Sequence, residues 1–146
     1  ITYKHISVLN MIRPIVKDIN FLKLKSTPAN ASDKHIADDL IDTLSAHREE
    51  CVGMAANMIG ENKNIIIVSM GFMPLVMFNP VIVKREEPYS TEEGCLSLLG
   101  IRPCVRYRKI TVEYQDSNFK KHTGTYEDWT AQIIQHEMDH LHGIII

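Results

Sequence analysis

The sequence predicts an α+β fold in which one central helix is enclosed by mostly antiparallel strands. Three observations carry that expectation. The chain closes on a helical stretch with apolar residues on one side and an H-E-x-x-H motif on the other. An earlier stretch has the periodicity of an amphipathic helix, and several β-rich runs separated by turn residues lie between the two. With 146 residues, 45% hydrophobic and 23% charged, the chain is long enough for one buried core and reads as a single domain over 1–146.

Taken in order, Met11-Ile12-Arg13-Pro14 reads as a native start, which makes residues 1–10 a candidate appended remnant. Ser26–Ser32 is rich in Ser, Thr, Pro and Asn and reads as a loop. A helix follows from about Asp33 to Glu49, with Ser32 as N-cap and Ile36, Leu40 and Leu44 forming one apolar face. Cys51–Gly60 is compact and rich in small residues. Asn64–Ser69, with three consecutive Ile and a Val, reads as a buried strand, and Pro74–Val83 as a second β run interrupted at Asn79-Pro80. Ile110–Tyr114 alternates as a strand, and Lys121–Tyr126 pairs with it across the polar turn Gln115–Asn118. The last helix runs from about Asp128 or Trp129 to His142 and ends at Gly143 in the C′ position. Ile134, Met138 and Leu141 pack it on the sheet, which turns His136, Glu137 and His140 toward a site.

Charge and hydropathy exclude several classes. Net charge is −2, with Lys and Arg scattered, so no nucleic-acid surface is expected. Lys23–Lys25 and Arg106–Lys109 read as solvated faces. No apolar run approaches the ~18 residues of a membrane span, and no secretory signal is recognisable. Three cysteines, Cys51, Cys95 and Cys104, with no such signal, predict a reducing, cytoplasmic setting. One is then free to hold a metal, and the other two read as small buried hydrophobes.

On a helix, His136 and His140 stand at i and i+4 and can grip one metal, with Glu137 beside them to move protons of an activated water. The sequence stops at Ile146, so a third ligand is expected upstream. His142 lies roughly 200° round the helix from His140 and faces elsewhere. His5, His35, His47 and His122 have no context that selects them. Cys95 does, in Glu93-Gly94-Cys95-Leu96-Ser97, where Gly94 permits close backbone approach and the thiolate suits zinc or ferrous iron.

Glu93-Gly94-Cys95-Leu96-Ser97 followed by Gln135-His136-Glu137-Met138-Asp139-His140-Leu141 closely resembles the peptide deformylases. Cys51-Val52-Gly53-Met54-Ala55-Ala56-Asn57-Met58-Ile59-Gly60 stands in family order where that family has G-x-G-x-A-A-x-Q-x-G. The resemblance implies a deformylase-like fold and removal of the formyl group from formyl-methionine at the ends of nascent polypeptides, at the ribosome. It implies Cys95, His136 and His140 as metal ligands, typically for Fe2+, with Zn2+ or Ni2+ able to occupy the site. Glu137 would be the proton carrier, and the Leu96 backbone N–H an oxyanion donor. Backbone around Val52–Gly53 and Gly94–Cys95 would hold an extended peptide. Arg102 reads equally as a charge at the cleft rim and as a solvent-exposed one.

Three departures from the family pattern stand out, the first two bearing on activity and the third loosening a loop without touching chemistry. Met58 replaces the family's oxyanion-hole Gln, and a thioether has no N–H to donate. Asn57 carries an amide next door, but neighbouring side chains point in different directions. Cys51 replaces the first Gly, either narrowing the cleft or packing away, and Leu99 replaces a common Pro. The leading reading is a deformylase of reduced activity. The alternative is a catalytically impaired relative that binds metal and N-terminal peptides without efficient turnover. A zinc endoprotease would need a downstream ligand.

Overall fold

The computed structural model describes residues 12–71 and 73–146. The possible remnant at residues 1–10 lies outside the described residues. The elements in chain order are α1 (Ile19–Leu22), a 3-10 turn (Ala31–Asp33), α2 (Lys34–Ala46), β1 (Gly53–Ala55) and a second 3-10 turn (Ala56–Ile59). β2 (Ile65–Met70), β3 (Met73–Cys95), β4 (Leu98–Gln115), β5 (Lys121–Glu127) and α3 (Asp128–Leu141) follow. The strands form one five-stranded sheet in the order β1-β2-β3-β4-β5, antiparallel at every pairing. This is the α+β arrangement expected, with the H-E-x-x-H helix packed on the sheet.

Two expectations need correction. The cap of the first long helix is not Ser32. Asn30 accepts from Ser32 N–H at 3.0 Å, and Asp33 accepts from Asn30 N–H at 2.9 Å, so a 3-10 turn leads into α2 one step earlier. α2 ends at Ala46. The β runs are also much longer than their hydrophobic segments, with 23 residues in β3 and 18 in β4. Asn79-Pro80 does not interrupt β3 but makes a bulge, with Asn79 at φ 52 and a register shift between Phe78 and Val81. The Asn79 amide is held by Ala29 backbone on both sides, at 2.8 and 3.0 Å, which supports that backbone.

Two cores flank β1 and β2. One side chain set, with Ile36, Leu40, Met54, Met58, Ile65, Ile67 and Phe78, packs beneath α2. The other, with Ile66, Val68, Met77, Ile110, Val112, Ile134, Met138 and Leu141, seats α3. The period-2 alternation Ile65/Ile67 against Ile66/Val68 assigns each strand residue to one core or the other. α3 ends where Gly143 adopts φ 73, and a Cβ there would run into the Lys23 backbone. Among the described residues no helix is long and apolar enough to cross a membrane.

Candidate metal centre and active site

α3 turns His136 and His140 to the same side, and Cys95 reaches them from the end of β3. The two Nε2 atoms are 3.2 Å apart, and Cys95 Sγ is 3.3 Å from His140 Nε2. All three ligand atoms lie within 4.8 Å of one another. Two nitrogens each ~2.1 Å from one tetrahedral ion stand ~3.4 Å apart, so the set fits a single metal. Cys95 is placed by the tight β3–β4 connection through Leu96 and Ser97, where Ser97 N–H points at Sγ from 3.5 Å.

Behind His136 lies a buried charge network. Its Nδ1 is 2.8 Å from Glu93 Oε1. Arg106 donates to Glu93 through Nε at 2.9 Å and Nη2 at 2.7 Å, and through Nη1 to Asp139 at 2.7 Å. Gln132 donates to the other Glu93 oxygen at 2.9 Å. Burial alone would raise the Glu93 carboxyl, but hydrogen bonds from His136 and Arg106 outweigh it and hold it well below the usual carboxylate range. An ionised Glu93 accepts a hydrogen bond from the His136 Nδ1–H, which keeps the proton on Nδ1 and leaves the Nε2 lone pair facing the other ligands.

The two imidazoles titrate apart. Burial disfavours the His136 cation, yet hydrogen bonds with Cys95 and Glu93 push it up to about 10. Burial and the neighbouring His136 drive His140 down to about 3. Glu137 is 5% exposed, and burial raises its carboxyl to about 7. Its Oε1 is buried with no partner among the described residues. Gly53 makes room for it, because a Cβ there would lie 2.9 Å from Glu137 Oε2 and 2.7 Å from Ile133.

Glu93, Cys95, His136 and Glu137 line a cleft of about 560 Å³. Cys51, Val52, Gly53 and Met58 form one wall, Gly94, Cys95, Leu96 and Leu98–Gly100 the other, and Trp129, Gln132, Ile133, His136 and Glu137 lie along α3 between them. The sequence pattern of the polypeptide deformylase family matches residues 12–146. The chain belongs to that family. A peptide deformylase of Clostridium beijerinckii is 57% identical over 136 residues, which is 93% of this chain and all of that one. A deformylase structure from Legionella pneumophila superposes with a TM-score of 0.83 at 31% identity, covering 92% of this chain and 83% of that one. The Met-Ala-Ser-bound deformylase of Acinetobacter baumannii superposes equally well, at 29% identity, covering 92% and 96%. The protein is therefore a metal-dependent hydrolase of the deformylase class.

Against the deformylase pattern, each expected residue can now be placed. Cys95, His136, His140 and Glu137 converge, and Leu96, Gly94, Gly53 and Val52 line the cleft. A Cβ at Gly94 would meet only the Gly100 carbonyl at 3.5 Å, an ordinary contact, so the fold itself leaves room for a side chain there. Arg102 stands on β4 opposite Glu93, outside the cleft lining, half-buried, with Nη1 lacking a partner among the described residues. Met58 lines the cleft at 1% exposure, its Sδ 3.5 Å from Ala55 N–H. The Asn57 amide faces away and donates to the His140 carbonyl at 2.8 Å, so it is committed to holding α3.

Two expectations fail here. Arg106 is not a solvated charge but 4% exposed, because it alternates onto the β4 face that meets α3. Nor is Cys51 a buried hydrophobe. It lines the cleft half-buried, with its thiol donating to the Gly53 carbonyl at 2.9 Å and raised to about 12 by burial and the nearby Glu137. Cys104 is half-buried on β4. Glu93, Arg106, Gln132 and Asp139 received no role from the sequence. Period 2 does place Glu93 and Cys95 on one strand face, a signal that was available.

Proposed function

We propose that the cleft removes the formyl group from formyl-methionine at the N-terminus of new polypeptides, using Fe2+ held by Cys95, His136 and His140. The soft thiolate with two imidazoles suits ferrous iron, and equally fits zinc or nickel. When bound, the metal supplies Lewis acidity, polarising the formyl carbonyl and acidifying water. Glu137, poised near neutrality, takes the proton of the attacking water and returns it to the departing amine. Glu93 and Arg106 hold the His136 ring and its tautomer throughout. The Leu96 backbone N–H donates to the developing oxyanion, and Gly53, Val52 and Gly94 border the extended peptide.

The observation that carries this reading is the unpartnered, buried Glu137 carboxylate beside three converging ligand atoms. Formate release from formyl-Met-Ala-Ser by iron-loaded protein under anaerobic conditions tests it. Turnover above a Glu137→Ala control is expected, and none would sink the reading.

Met58 favours a second reading, an impaired enzyme that binds metal and peptide ends without efficient turnover. Its thioether offers no hydrogen to an oxyanion. Losing one such donor costs ~10²–10³ in kcat, so the reading predicts slow turnover beside retained peptide binding.

A further inference from the structure

Among the described residues β1 is the last strand of the sheet on its side, paired only with β2. The Val52 carbonyl accepts from Ser69 N–H at 2.8 Å, so residue 52 turns its polar backbone toward β2. Alternation along an antiparallel strand then turns the Gly53 carbonyl the other way, onto the open edge. That edge lines the cleft beside Glu137. A bare strand edge is a template for an extended peptide. Two of the outward groups, however, are already answered from within the chain, each by a sulfur. Cys51 Sγ–H donates to the Gly53 carbonyl at 2.9 Å, and Met58 Sδ receives the Ala55 N–H at 3.5 Å.

We propose that Cys51 is a positioning residue for substrate: its thiol caps the Gly53 carbonyl and must swing away before an extended peptide can pair there. The inference rests on the cleft being a peptide-binding deformylase site. A thiol is a weak donor on a single rotatable bond, so the cap is displaceable, yet its loss on binding subtracts from affinity. The effect falls on substrate binding, because the thiol's hydrogen bond goes to the Gly53 carbonyl rather than to a metal ligand or Glu137. A hydroxyl in the same place would hold the carbonyl more firmly, and a methyl not at all.

The test compares KM and kcat for formyl-Met-Ala-Ser, and Kd for Met-Ala-Ser, in iron-loaded parent, Cys51→Ala and Cys51→Ser proteins. Cys51→Ala is expected to lower KM and Kd about 5-fold, the order of one modest hydrogen bond, with kcat moving less than KM. Cys51→Ser is expected to bring both back to the parent value or above it. Parent-like KM and Kd in Cys51→Ala, or a Ser variant that follows Ala, would overturn the proposal. If no protein in the series releases formate, the deformylase reading fails, and the order of the three Kd values still decides the role of Cys51.

Discussion

The two walls of the cleft are built on different principles. On the α3 and β3–β4 side, Glu93, Arg106, Gln132 and Asp139 answer one another's charges and hydrogen bonds behind His136. On the β1 side and the 3-10 turn after it, the groups nearest the cleft are two sulfurs, Cys51 and Met58, engaged with their own backbone. Holding a metal and carrying a proton require fixed, charged donors, whereas steadying a peptide and an oxyanion require free backbone and amide groups. On the proposed function, the first wall has what its task needs and the second lacks one oxyanion donor. Changes on the first wall should therefore abolish metal or chemistry, and changes on the second should tune binding and rate.

That contrast can be broken in several ways, taken from the largest effect down. Glu137→Ala should lower kcat by ~10²–10⁴ with metal content retained, checked by formate release and metal analysis on one preparation. Next, Glu137→Gln should stabilise the metal-stripped protein at high pH. The parent carboxyl titrates at about 7 in the fold, against ~4.3 in an open chain. Its contribution is then fully present below pH ~4.5 and lost as pH rises through 7. The variant escapes that loss, so the gap should grow with pH toward about 3 kcal/mol at pH 8, read by denaturant unfolding. A gap independent of pH would contradict the buried carboxyl. Glu93→Gln should weaken metal affinity ~10–100-fold by loosening the His136 tautomer, measured by chelator competition. Asn57→Ala removes the donor to the His140 carbonyl, which should cost about 1–2 kcal/mol in unfolding. Its kcat per bound metal should stay within about twofold of the parent's, and a larger drop would make Asn57 the missing oxyanion donor after all.

Much of the metal wall was legible in the sequence because its signals are local. His136 and His140 declare themselves by helical spacing, the last helix by its Gly143 stop, and Cys95 by its motif. The Glu93–Arg106–Asp139 network was not, because its members lie 13 and 33 residues apart and meet only when β4 folds back under α3. Arg106 in a basic run looks like any solvated charge until strand alternation and packing are known. The length of β3 and β4 was equally hidden. Charged stretches such as Lys84–Glu87 carry no hydrophobic alternation, and their strand state comes from pairing with a long partner. Cys51 was legible as a departure but not as a cap, since its contact depends on which way the Gly53 carbonyl turns.

The central claim is that the metal-and-base wall is complete and that the missing donor lies at Met58. It is tested most directly by kcat and bound metal in the parent and Met58→Gln, prepared and loaded together. The same metal content and a kcat raised by ~10²-fold or more are expected, the reciprocal of losing one oxyanion donor. Equal kcat in the two proteins, at equal metal, would contradict it.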